Sequence, residues 1–214
     1  MIQIFGLPLS PFVRKVHVVA AEKGIEFEVV PANPRDPSPA FLAASPFRKI
    51  PALQDGDFSL ADSTAIATYF EALRPDPALI PMEAKARAKA IWFEEVADTV
   101  LVPAGAKIMF NRFVAPKIVG MPGNEEAAAQ GERELAPLVD WLETQAPAHG
   151  WLTGADFTIG DIAIASVLST LVYVGLAPDA ATHPALAAWH ARVTQRPAWQ
   201  KVAAAEADIA RQFV

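Results

Sequence analysis

No cysteine occurs anywhere in the chain. Its absence removes disulfides, thiolate metal sites and any cysteine nucleophile, and it fits a reducing compartment such as the cytoplasm. Runs of lysine and arginine with interleaved aromatics are missing too. A nucleic-acid surface needs a positive stripe that displaces counterions. Here 18 basic residues are scattered among 24 acidic ones, for a net charge of −6, so nucleic acid is set aside as a partner. The stretch 162–177 lies within the longest run without a charge and is shorter than the roughly 20 residues that span a bilayer, so it reads as a buried helix and not a membrane anchor. Met1 to Phe5 has no basic stretch ahead of an apolar one and does not read as a signal peptide. The four histidines, His17, His149, His183 and His190, show no metal-ligand spacing, and no metal is expected. Internal repeats and low-complexity segments are absent as well.

What is present is apolar and rich in alanine. Apolar residues make up 52% of 214, enough for a substantial core in two small domains or one large one. Residues 2–5 read as a strand broken by Gly6-Leu7-Pro8-Leu9. Ser10-Pro11 then opens a helix that Gly24 stops. A second strand is expected over 25–30 and a short helix near 41–44. A hairpin follows around Asp55-Gly56-Asp57, and a helix runs from Asp62-Ser63 to about Leu73. This β-α-β-α-β-β-α order matches a thioredoxin-like layer over residues 1–75. Arg74-Pro75-Asp76-Pro77 reads as a linker. Residues 84–214 carry no strand signal and read as an all-helical domain. Its helices fall near 84–118, 124–146, 158–175, 184–195 and 197–210, with Pro103 and Pro116 kinking or ending turns of the first.

Three places in the first 75 residues carry chemistry. Ser10 stands where unpaired amides and the helix dipole favour negative charge. A hydroxyl there can donate to a thiolate, and serine is equally a common helix cap. Lys49-Ile50-Pro51 puts a proline at the head of a strand, a place for a cis peptide bond. There the Ile50 backbone can face outward and pair with a ligand as an added strand would. Lys49 adds a positive charge, or is a solvated lysine beside an ordinary edge-strand proline. Asp62 and Ser63 lie at a strand-to-helix junction, where they can hold an ammonium and a carboxylate, or simply cap the helix.

Taken in order, Ser10-Pro11-Phe12, Lys49-Ile50-Pro51, Asp62-Ser63-Thr64-Ala65-Ile66 and Phe157-Thr158-Ile159-Gly160-Asp161-Ile162-Ala163 resemble the cytosolic glutathione S-transferase superfamily over nearly the whole chain. In the last motif Thr158 and Asp161 form a reciprocal capping box on a core helix. The segment Leu9 to Val16 resembles the serine-type classes, bacterial in look. Phe5 stands near the place where tyrosine-type members carry a hydroxyl, and cysteine-type members need a Cys that this chain lacks.

The resemblance implies a thioredoxin-like domain followed by an all-α domain, in a cytoplasmic homodimeric detoxification enzyme. Glutathione is its co-substrate and a hydrophobic electrophile its partner. Asp62 would take the γ-glutamyl ammonium and Ser63 its carboxylate. Ile50 would pair with the cysteinyl backbone, and Lys49 would face the glycyl carboxylate. Pro51, Thr158 and Asp161 would be structural. Ser10 would hold the thiolate, which attacks an electrophilic carbon or a peroxide oxygen. Arg14, one turn on, either adds positive potential or is a buried salt-bridging residue. An apolar electrophile pocket is expected from Leu9, Phe12, Ala106, Phe110 and Phe113, with Val102 and Met109 as further candidates and Phe213 closing it. An isomerase of the maleylacetoacetate type and a non-catalytic glutathione-binding protein are the alternatives.

Overall fold

The computed structural model describes residues 1–213. Strand β1 (Ile2–Phe5) buries Ile2, Ile4 and Phe5, as a strand covered on both faces must. It is central in a four-stranded sheet of order β2-β1-β3-β4. Strand β2 (Phe27–Val30) runs parallel to it, β3 (Ala52–Asp55) pairs with it antiparallel, and β4 (Phe58–Ala61) pairs antiparallel with β3. Because successive side chains alternate faces, Ile4 joins the main core and Phe5 a smaller cluster with Phe41, Ala44 and Ala52. The helices of this part are α1 (Pro11–Glu22), α2 (Pro39–Ala44) and α3 (Ser63–Leu73). Phe41 of α2 fills that smaller cluster, and α1 packs against α3.

One expected boundary moves for a local reason. Ile25 does not open β2. Its N–H closes α1 by donating to the Ala20 carbonyl at 2.8 Å, so the strand begins at Phe27. The long helix expected near 84–118 continues past Pro103 and Pro116 to Val119. From α4 (Ala84–Glu95) it passes into a π-helical stretch, Val96–Leu101, then α5 (Val102–Met109), then a second π stretch, Phe110–Val119. A proline offers no amide to the carbonyl four residues back and its ring crowds that turn. Here wider π turns lie just before Pro103 and around Pro116.

The remaining helices are α6 (Glu125–Gln145), α7 (Ile159–Leu171), α8 (Pro184–Thr194) and α9 (Pro197–Ala210). Helix α7 is the axis of this part. All its residues except Ser169 are buried, and it packs against α1, α4, α5 and α8. Gly160 permits the approach to α4, since a Cβ there would stand 2.8 Å from that of Phe93 and 2.9 Å from the Ala90 carbonyl. The buried Asp161 carboxylate accepts four hydrogen bonds, from the Thr158 amide (3.1 Å) and hydroxyl (3.2 Å), the Leu152 amide (2.9 Å) and the Trp189 indole (3.1 Å). Burial pushes its pKa up and those donors pull it back.

Arg14 is the main polar tie between the sheet part and the helices. It is 3% exposed, donates to both oxygens of Glu206, to the Ser166 carbonyl at 2.6 Å and to the Thr170 hydroxyl at 2.5 Å. Tyr173 donates to the same Glu206 carboxylate at 2.5 Å. Of the two roles open to Arg14 in the sequence, the geometry is that of the buried salt-bridging residue. Among the described residues no helix is long and apolar enough to cross a membrane.

Candidate active site

The turn from β1 into α1 is pressed against the helix it precedes. A Cβ at Gly6 would come 2.6 Å from a methyl of Val13, so only glycine fits. Beyond it, the Ser10 amide donates to the Leu7 carbonyl at 2.9 Å and the Ser10 carbonyl accepts from the Arg14 amide at 2.9 Å. Ser10 therefore sits in the N-cap position of α1, with extended backbone angles and Pro11 in the first turn. Its hydroxyl makes no capping hydrogen bond, and no acidic side chain occupies the first turn. The cap reading open in the sequence thus describes the Ser10 backbone and leaves the hydroxyl free to donate elsewhere.

The Ile50–Pro51 bond is cis, as is Asp76–Pro77 in the linker. Lys49 is exposed, and its backbone is clasped from both sides by Ser45: the Ser45 hydroxyl accepts the Lys49 amide at 2.9 Å and donates to the Lys49 carbonyl at 2.7 Å. Ser45 was not singled out in the sequence, where it looks like any loop serine. Asp62 has φ +90°, a conformation L residues seldom adopt. Its Oδ1 caps α3 by accepting the amides of Thr64 (2.9 Å) and Ala65 (3.1 Å), which leaves Oδ2 open. Ser63 beside it is buried. A backbone held in a sparsely populated region is a recurrent mark of a functional turn.

A cleft of about 770 Å³ lies between the sheet part and the long helix. Phe12, Lys49, Asp62 and Thr64 line one side; Glu95, Asp98 and Thr99 line the other. It therefore brings together three of the expected residues. Ser10, Ile50 and Ser63 are not in its lining but stand within two residues of one that is. Of the expected electrophile-pocket residues, Phe12 lines this cleft. Leu9 is buried in the main core. Phe113 is buried too, its ring 5.5 Å from that of Tyr173. Met109 is buried, Val102 is half-buried, and Ala106 and Phe110 are exposed on the helix surface. Phe213 packs against the main core. No group of acidic and histidine side chains among the described residues is arranged to hold a metal.

Comparison with known proteins decides the family. Residues 4–78 match the model for the glutathione S-transferase N-terminal domain, and residues 125–192 that for its C-terminal domain. Glutathione S-transferase 3 of Zea mays is 33% identical over 210 residues, 95% of this chain and 94% of that one. The chain belongs to the glutathione S-transferase family. A solved glutathione S-transferase from Rhodospirillum rubrum F11 superposes with a TM-score of 0.87 at 26% identity, covering 94% of this chain and 91% of its own. Another, glutathione S-transferase-I bound with lactoylglutathione, gives 0.83 at 25% identity over 95% and 98%.

The transferase also carries a polar group at its cleft that the sequence reading passed over. Lys15, on α1, is 1% exposed, and its ammonium reaches Glu94 at 2.5 Å and Asp98 at 2.6 Å. Glu94 is fully buried and also accepts the Thr64 hydroxyl, while its second oxygen has no partner. Asp98 lines the cleft; burial pushes its carboxyl up to about 6, against the pull of Lys15 and with a smaller push from Glu94. A signal for this group was present in the sequence. Glu94 and Asp98 are four apart, hence on one helix face, and Lys15 interrupts an otherwise apolar helical stripe.

Proposed function

We propose that this glutathione S-transferase is of the serine type and joins the glutathione thiolate to hydrophobic electrophiles, with Ser10 as the donor that holds the thiolate. The observation that carries the reading is the Ser10 hydroxyl, placed at the positive end of α1 and not spent on capping. A free thiol with a pKa of about 8.5 is mostly protonated at neutral pH. A hydrogen bond from Ser10 and the helix terminus both favour the anion. The thiol proton leaves to solvent. The sulfur lone pair then forms the bond to the electrophilic carbon as the leaving group departs with its electrons. Ser10 orients and donates throughout; its own hydroxyl is too weak an acid to serve as a base.

Glutathione, as co-substrate, has one group for each candidate residue. The open Oδ2 of Asp62 takes the γ-glutamyl ammonium and Ser63 its carboxylate. The Ile50 backbone pairs with the cysteinyl unit, and Lys49 meets the glycyl carboxylate. Bonds assisted by charge in this way are the strong ones. The electrophile is assigned to the neighbourhood of Phe12. The solved relative bound with lactoylglutathione supports the ligand class. A chain without cysteine fits a cytoplasmic setting.

Two measurements test the reading. Calorimetry of glutathione binding should show Asp62→Asn at least tenfold weaker than wild type, since a lost charge-assisted hydrogen bond is worth about 1.5–3 kcal/mol. Asparagine keeps the cap oxygen and tolerates the positive φ, so a loss reports the charge. Turnover with glutathione against a panel of electrophiles and hydroperoxides should show conjugation. A wild-type protein that neither binds glutathione nor turns over any of them is not a transferase.

A homodimer is part of the same proposal. Phe47, Phe58, Trp92 and Val100 are large apolar side chains left exposed, area that a second copy would cover. Light scattering at micromolar concentration should give about twice the chain mass of 22.9 kDa; a monomer would remove this part of the reading.

A further inference from the structure

The buried cation of Lys15 lies where three separate elements meet. Lys15 stands on the second turn of α1, the helix that Ser10 heads. Glu94 and Asp98 come from the long helix on the far side of the cleft, Asp98 from its π stretch. Thr64 belongs to the first turn of α3, next to Asp62 and Ser63. Its amide is held by Asp62 Oδ1 at 2.9 Å, and its hydroxyl donates across the domain junction to Glu94 Oε1, the oxygen that also takes Lys15. The turn carrying the candidate glutathione-head residues is thus fastened at both ends of one residue: by Asp62 to itself, and by the Thr64 hydroxyl to a fully buried carboxylate. Glu94 is held in turn by Lys15, its one cation among the described residues, while its second oxygen has no partner.

We infer that Thr64 and Glu94 are positioning residues for the glutathione head, acting through the turn Asp62–Ser63, with Lys15 locking Glu94 in place. This deepens the proposed function and rests on it. The physical content is directional. Asp62 is held at φ +90°, a conformation that relaxes unless the surroundings over-determine it. The Thr64 to Glu94 bond is the tie from that turn to the helical part. Without it, the open oxygen of Asp62 and the Ser63 hydroxyl sample orientations that do not match an ammonium and a carboxylate together. Glutathione affinity falls, and the chemistry at Ser10, at the other end of the tripeptide, proceeds once glutathione is bound. Because the tie passes through a protein hydroxyl, a residue that keeps the hydroxyl restores it.

Thr64→Val, which keeps the branched shape and removes the hydroxyl, should raise KM for glutathione about tenfold and weaken calorimetric binding equally, with kcat within twofold of wild type. Thr64→Ser should return both to within twofold. Glu94→Gln is the second variant: its amide oxygen still accepts the Thr64 hydroxyl but no longer balances Lys15, so it should fall between the two in KM, with the helical content of wild type. Wild-type KM in Thr64→Val, or a loss in kcat without one in KM, would overturn the inference, as would failure of Thr64→Ser to rescue. A wild-type protein that does not bind glutathione at all would instead overturn the function on which the inference rests. The two failures are therefore told apart by wild type alone.

Discussion

Ser10→Ala is expected to lower turnover at least tenfold near pH 6.5 while leaving glutathione affinity nearly intact. Affinity is spared because the ammonium and carboxylates of glutathione are assigned to Asp62, Ser63 and Lys49, away from the thiol. What changes is the fraction of thiolate. A donor to the anion lowers the bound thiol's pKa, and each unit corresponds to about 1.4 kcal/mol, a factor of ten in thiolate below that pKa. Removing the donor moves the pKa back up. The loss is then full at pH values below the wild-type pKa and shrinks as pH rises. It vanishes above the unassisted thiol value near 8.5, where ionisation needs no help. The measurement is the pH profile of turnover for both proteins. Superimposable profiles would show that the thiolate is held by the helix terminus or by another residue.

The largest effect on stability is expected at Arg14. Removing one partner of a buried ion pair typically costs about 3–5 kcal/mol, because the other is left buried with its charge uncompensated. In Arg14→Ala that orphan is Glu206, 4% exposed, and the Ser166 carbonyl and Thr170 hydroxyl lose a partner as well. For a chain of this size each kcal/mol shifts Tm by about 2–4 °C, so thermal unfolding should fall by roughly 6–20 °C. Arg14→Lys should recover little. A single ammonium cannot reproduce the fork that meets both Glu206 oxygens and two further acceptors. A drop of only 1–2 °C in Arg14→Ala would show that the network contributes little to folding.

Local chemistry made most elements legible. Ser10-Pro11, Asp62 and Pro184 mark helix starts within a residue or two, because caps and first-turn prolines act over one turn of chain. The succession of strands and helices along the first 75 residues was legible for the same reason. What was hidden depended on partners far along the chain. Arg14 left two roles open until Glu206, Ser166 and Thr170 could be placed around it. The Lys15 group was legible only in pieces: the Glu94 and Asp98 spacing and a lysine in an apolar stripe could be seen, but nothing local joins Lys15, Thr64 and Glu94, scattered over 80 positions. The stripe Ala106, Phe110 and Phe113 runs across a change of helix type that periodicity does not register. The π stretch that begins at Phe110 changes the angle per residue, so a spacing counted at 3.6 no longer fixes which side chains share a face.

The Arg14 to Glu206 bond has a meaning for biosynthesis as well. Its partners are 192 residues apart. At roughly 5–20 residues per second, about 10–40 s of synthesis separate them. Through that interval the first helix has emerged with a guanidinium whose carboxylate does not yet exist. A nascent chain interrupted anywhere before residue 206 therefore carries an unmatched charge in the place where its two halves should join. Such fragments should be prime clients of cellular quality control, recognised by an arginine that complete molecules keep out of sight.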